Sequence, residues 1–96
     1  MRARYTNAAR DEADDILAHI ANDSTSAAAE VAAIIEATIA RLLAFPQLGS
    51  PTDVTDVRMA IARPHPYLVF YSIEDDELVI RNVRHPARRH PPADRL

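Results

Sequence analysis

The apolar residues of this chain change their spacing once, and that change sets the fold class. Ala9, Ala13, Ile16, Leu17 and Ile20 recur at intervals of three and four. So do Val31, Ile34, Ile35, Ile39, Leu42 and Leu43, with Thr38 in the same stripe. That spacing lines up side chains on one face of a helix. Helices are therefore expected over roughly residues 7–21 and from the Asn22–Ser26 break to about Ala44. Thr6 or Asn7 can cap the first, and Asp23, Ser24 or Ser26 the second, because each side chain can accept from free N–H groups. Asp11, Glu12, Asp14 and Asp15 fall early in the first helix, where negative charge suits the helix dipole. Pro46 stops the second helix. The single glycine, Gly49, suggests a backbone conformation that other residues resist.

From Val57 the period is two. Val57, Met59 and Ile61 face one way, and Arg58, Ala60 and Ala62 the other. Residues 67–73 are apolar on both faces, as in a strand covered on both sides. Glu74–Glu77 reads as an acidic hairpin turn, and Leu78–Arg84 as the last strand. Residues 2–6 alternate and form a short first strand, with Arg2 and Arg4 on one side and Ala3 and Tyr5 on the other. The order is β-α-α-β-β-β. It predicts an α+β fold: a first strand, then an antiparallel helical hairpin packed on a mostly antiparallel sheet whose last three strands form a meander. The central strand is apolar on both sides, yet the helices can cover only one. The other face calls for a partner.

With 96 residues, 48% of them apolar, the chain has enough core for one domain over 1–96. Residues 86–96 form a basic, proline-rich tail. There is no cysteine, which excludes disulfides and thiol chemistry and fits a cytoplasmic protein. The N-terminus turns acidic too early for a signal peptide. Prolines 86, 91 and 92 break the spacing between His85, His90 and Asp94, so no metal or other cofactor is expected. Net charge is −3 but unevenly spread. Residues 1–56 are acidic, whereas Arg81, Arg84, Arg88, Arg89 and Arg95 crowd the end. A basic end is an electrostatic handle for an acidic partner.

Several strings, in order, resemble the RelE/ParE toxin superfamily of type II toxin–antitoxin systems. They are Thr6-x-x-Ala9, Phe45-Pro46-x-x-Gly49, Arg58, Tyr67-Leu68-Val69-Phe70-Tyr71 and Val83-x-His85-x-Ala87-Arg88. The resemblance implies a toxin that forms a hetero-oligomer with, and is neutralised by, a cognate antitoxin (ParD-like or similar). The groove of the helical hairpin and the open sheet face are the expected docking surfaces. Ile16, Ile20, Ile35, Leu42, Tyr67, Val69 and Tyr71 are the expected antitoxin contacts.

Two activities occur in the superfamily. The RelE branch cuts messenger RNA on the ribosome without a metal. Such a site needs a base, an acid and positive charge around one phosphate. Here the candidates are Arg58, Arg81, His85 and Arg88, with Arg58 and Arg81 able to converge on the sheet. Three features weigh against it: no tyrosine follows His85, the chain has no lysine, and its net charge is acidic. The ParE branch implies a growth inhibitor acting by binding, with DNA gyrase as its target. Arg81, Arg84, His85, Arg88 and Arg89 would then form the target-binding surface. Arg84 and Arg88 could equally form salt bridges to the acidic turn or first helix, and Arg58 could hold Asp53 or Asp56. A non-toxic interaction module of the same fold is the third reading.

Overall fold

The computed structural model of the chain describes residues 1–86. The elements are β1 (Arg2–Tyr5), α1 (Asn7–Ala21), α2 (Thr25–Ala44), β2 (Ser50–Pro51), β3 (Arg58–Ala62), β4 (Tyr67–Glu74) and β5 (Glu77–Arg84). This is the expected α+β order with one addition, the two-residue β2. A segment that short carries no periodicity to read. The tail, with Arg88 and Arg89, lies outside the described residues from position 87 on. Among the described residues no helix is long and apolar enough to cross a membrane.

Thr6 caps α1, its hydroxyl accepting from the Ala9 N–H at 3.0 Å. The same hydroxyl donates to the Arg81 carbonyl at 2.9 Å, and the Thr6 N–H donates to the Ile80 carbonyl at 2.9 Å. One residue thus starts the helix and fastens it to β5. Ser24 caps α2 by accepting from the Ala27 N–H at 3.1 Å. The first turn of α1 holds no acid. Asp11 to Asp15 lie deeper, beyond the reach of the helix dipole, which corrects the role expected of them. Thr38, 2% exposed, donates its hydroxyl to the Ile34 carbonyl at 2.9 Å. That bond makes a polar group acceptable in the apolar stripe.

The sheet order is β1-β5-β4-β3-β2. β1 runs parallel to β5, and the helical hairpin makes the crossover between them. The remaining pairs are antiparallel. The core joins Ala9, Ala13 and Ile16 of α1 and Val31, Ile35, Ile39 and Leu42 of α2 to one sheet face. That face presents Ala60, Ala62, Tyr67, Val69, Tyr71, Leu78, Ile80 and Val83. A bulge lies opposite Phe70 and Tyr71, which pair with Asn82 and Ile80 and leave Arg81 extra. A strict period of two would aim Asn82 at the core. The extra residue resets the alternation so that Val83 follows Ile80 inward.

The acidic hairpin turn forms as expected. Asp75 and Asp76 both have positive φ, 50° and 61°, the pattern of a type I′ turn, which favours glycine at its second central position. Asp76→Gly is expected to stabilise the fold by about 0.5–1 kcal/mol by removing left-handed strain. The midpoint of urea unfolding would show it, and a midpoint shifted downward would contradict it.

Candidate functional site

Among the described residues, Arg58, Arg81 and Arg84 do not gather. Arg58 and Tyr71 are register partners, as are Tyr71 and Ile80, so all three lie in one row on the helix side of the sheet. There Arg58 donates to the Gly49 carbonyl at 2.7 Å and the Gln47 carbonyl at 3.4 Å. It holds loop carbonyls rather than Asp53 or Asp56. Arg81, next to Ile80, turns to the other face. Its guanidinium donates to Glu74 at 2.8 Å, and Glu74 also accepts from the Ser72 hydroxyl at 2.7 Å. The Ser72 hydrogen bond, with the charges of Arg81 and Arg4, lowers the Glu74 pKa below the ordinary glutamate value. Arg58 and Arg81 therefore lie on opposite faces of the sheet, and the expected convergence is corrected.

Arg84 turns inward. Its side chain is 9% exposed and its Nε lies 3.1 Å from Glu12 of α1. The Nε–H does not line up with that oxygen, so the pair is held by charge rather than by a directed hydrogen bond. Glu12 also accepts from the Val83 N–H at 3.0 Å and from the Asn82 amide at 3.1 Å. β1 pairs with β5 only as far as Ile80. Beyond that point the Glu12 carboxylate takes up the edge N–H of Val83. Of the two roles the sequence allowed Arg84, the salt bridge to the first helix is the one observed. His85 is half-buried, with its ring edge-on to Tyr67 at 5.0 Å between centroids.

A second polar cluster fixes the loop after α2. The Tyr71 hydroxyl donates to the Pro46 carbonyl at 2.7 Å and accepts from the Gly49 N–H at 2.9 Å. Gly49 does not have positive φ, which corrects the reason for its presence. A Cβ there would lie 2.6 Å from the Tyr71 hydroxyl and 2.9 Å from the Met59 carbonyl. Glycine is required by close approach. The clamped loop displays Phe45 and Leu48, 64% and 57% exposed.

Burial also corrects the expected antitoxin contacts. Ile16, Ile35, Leu42, Tyr67, Val69 and Tyr71 are all buried, the most exposed at 6%, and Ile20 packs partly buried against them. The hairpin and sheet cover most of the surface of these side chains themselves, although Ile35 still lines an open cleft between the helices. Besides Phe45 and Leu48, apolar surface remains on the outer sheet face, where Met59 pairs with Phe70 and Ile61 with Leu68. Ile61 is 36% exposed and the other three are half-buried. A separate cleft of about 270 Å³ lies between the helices and β1, lined by Tyr5, Arg10, Asp14, Leu17 and Glu36 among others. Burial beside Glu36 raises the Tyr5 pKa, and Arg10, 5.6 Å from the Tyr5 ring, partly offsets this.

This arrangement of strand, helical hairpin and sheet is shared with known proteins. The family model for the ParE toxin of type II toxin-antitoxin system, parDE, matches residues 3–90. The chain belongs to the ParE toxin family. A chain of the chromosomal ParDE TA system from P. aeruginosa superposes with a TM-score of 0.77. It is 20% identical, and the match covers 88% of this chain and 95% of that one. At this identity the likeness shows the fold. No curated protein matches the sequence.

Within this ParE-family chain, sequence reasoning missed Glu12 and Asn82. Glu12 was one of several acids on an acidic helix face, and nothing local set it apart. Asn82 carried a signal: it is a polar residue at a position that strict alternation assigns to the core. The Arg58–Gly49–Tyr71 clamp was visible only as three separate strings.

Proposed function

We propose that this chain is a cytoplasmic growth inhibitor that acts by binding DNA gyrase and is neutralised by a ParD-like antitoxin. The observation that carries this reading is the dispersal of Arg58, Arg81 and Arg84. Metal-free RNA cleavage needs acid, base and positive charge within reach of one phosphate. Arg58 holds loop carbonyls on one sheet face, Arg81 holds Glu74 on the other, and Arg84 is buried against Glu12. Arginine is also a poor base. Inhibition by binding requires no such convergence. Arg81, whose side chain is 37% exposed, is the proposed target contact on the outer sheet face, and His85, four residues further along the chain, is proposed as part of the same contact region. Arg88 and Arg89 extend it along the chain, and Arg84, tied to Glu12, adds charge to the same strand.

Expression without antitoxin should filament bacterial cells and induce DNA-damage signalling, and the purified chain should block supercoiling by gyrase. Arg81→Ala should reduce that inhibition at least fivefold while leaving antitoxin affinity within twofold. Immediate translation arrest with cleaved transcripts would overturn the reading in favour of an endoribonuclease. An absence of any growth effect would favour a non-toxic interaction module.

A further inference from the structure

We propose that Glu74, itself held by Ser72, is a positioning residue that fixes the Arg81 guanidinium for its contact with the target. This deepens the reading above, in which Arg81 meets the target, and rests on it. Arg81 is the extra residue of the bulge: Phe70 pairs with Asn82 and Tyr71 with Ile80, so no residue of β4 stands opposite it. A bulge re-aims a side chain and removes the cross-strand neighbour that would otherwise pack against it. A bare arginine at such a place keeps its rotamer freedom, and ordering it then counts against binding. Ser72 and Glu74 supply the missing constraint. Ser72 is 4% exposed, and its register partner Val79 is 1% exposed. The Ser72 hydroxyl donates to Glu74 Oε2 at 2.7 Å, and the same oxygen accepts from Arg81 Nη1 at 2.8 Å. The bonds thus run from a buried hydroxyl, through a half-exposed carboxylate, to a cation at the surface.

The pair does not serve to cancel the charge of Arg81. Arg4, the register partner of Val79, and Arg2 reach Glu77 at 3.2 and 3.6 Å. Arg2, Arg4 and Arg81 therefore share this end of the sheet with Glu74 and Glu77, three cations against two carboxylates, and the cluster stays positive. Stability does not account for the arrangement either, because an exposed ion pair contributes little to it. Glu74 engages only Nη1 of Arg81, and the rest of the guanidinium fork stays open to an anionic group. A fork already held in one direction loses less freedom when that contact forms.

The test compares variants of the full chain as inhibitors of gyrase supercoiling and as growth inhibitors at matched expression. Glu74→Ala should raise the half-inhibitory concentration about threefold and Ser72→Ala about twofold, with urea midpoints close to the wild type. Glu74→Gln, which keeps an oxygen in place, should fall between Glu74→Ala and the wild type. Glu77→Ala removes an equal charge from the same face without touching Arg81, and should change inhibition by less than about 1.5-fold. Once Arg81 is alanine, Glu74→Ala should have no further effect. Nitrogen-15 relaxation at Arg81 Nε, measured without any target, should show faster motion in Glu74→Ala and Ser72→Ala. An equal loss from Glu74→Ala with and without Arg81, an equal loss from Glu77→Ala, tighter inhibition by Glu74→Ala, or unchanged Arg81 motion would each overturn the positioning role alone. If Arg81→Ala leaves inhibition intact, the assignment of Arg81 to the target falls and the positioning role falls with it. If growth stops without inhibition of gyrase, only the gyrase assignment falls, and the same comparisons are read from growth. A wild-type chain that does neither would overturn both readings.

Discussion

Glu12→Ala should destabilise the protein by about 3 kcal/mol, because removing one partner of a buried pair leaves the other charge without compensation. Three groups lose their partner at once: the Arg84 guanidinium, the Asn82 amide and the Val83 N–H. Arg84 cannot easily escape to water, since its side chain is 9% exposed. Glu12 itself is 28% exposed, which keeps the expected loss at the lower end of the range for buried pairs. Glu12→Gln should cost less, because it keeps an oxygen acceptor while losing the charge. In the double variant Glu12→Ala/Arg84→Met no buried charge remains, so part of the stability should return. Urea unfolding of the wild type, Glu12→Ala, Arg84→Met and the double variant closes the cycle. A loss below about 1 kcal/mol for Glu12→Ala would show that the pair behaves like an exposed salt bridge.

Gly49→Ala is the second large effect, with an expected loss of about 2–3 kcal/mol from overpacking. The added methyl would collide with a tyrosine that is 0% exposed and with a backbone carbonyl. Neither can yield without moving β3 or β4. If the loop moves instead, it gives up the Tyr71 bonds to Pro46 and Gly49 and the Arg58 bond to the Gly49 carbonyl. Tyr71→Phe, which leaves the Gly49 N–H without its acceptor, should cost about 1–2 kcal/mol. Adding Gly49→Ala to Tyr71→Phe should cost somewhat less than adding it to the wild type, because the hydroxyl is gone while the ring Cε1 at 2.7 Å and the Met59 carbonyl at 2.9 Å still clash. Equal costs in the two backgrounds would count against a clash at the hydroxyl.

The elements were legible because hydrophobic spacing is a local property. Ile16 and Ile20 mark the inner side of α1 wherever the helix docks, and Met59 and Ile61 share one side of a strand whichever strand pairs with it. The two helices, the acidic turn and the last three strands could all be read this way. β2 could not, because Ser50 and Pro51 pair through register alone. The bulge at Arg81 was equally hidden, although Asn82 marked the place where alternation fails.

The functional surface was less legible, since a spacing pattern shows which residues share a face but not what opposes that face. Leu42, Val69 and Tyr71 read as surface for a partner, and the chain buries them itself. Arg84 read as one of five terminal arginines, and the docking of α1 turned it into a buried counter-ion. The period change after Ala44 by itself determined an α+β chain with two helices ahead of its main strands. Only the tertiary structure decided which side of the sheet the helices cover and which arginines are already partnered. Periodicity is set by neighbours a few residues away, whereas burial and pairing are set by residues 70 positions apart, such as Glu12 and Asn82.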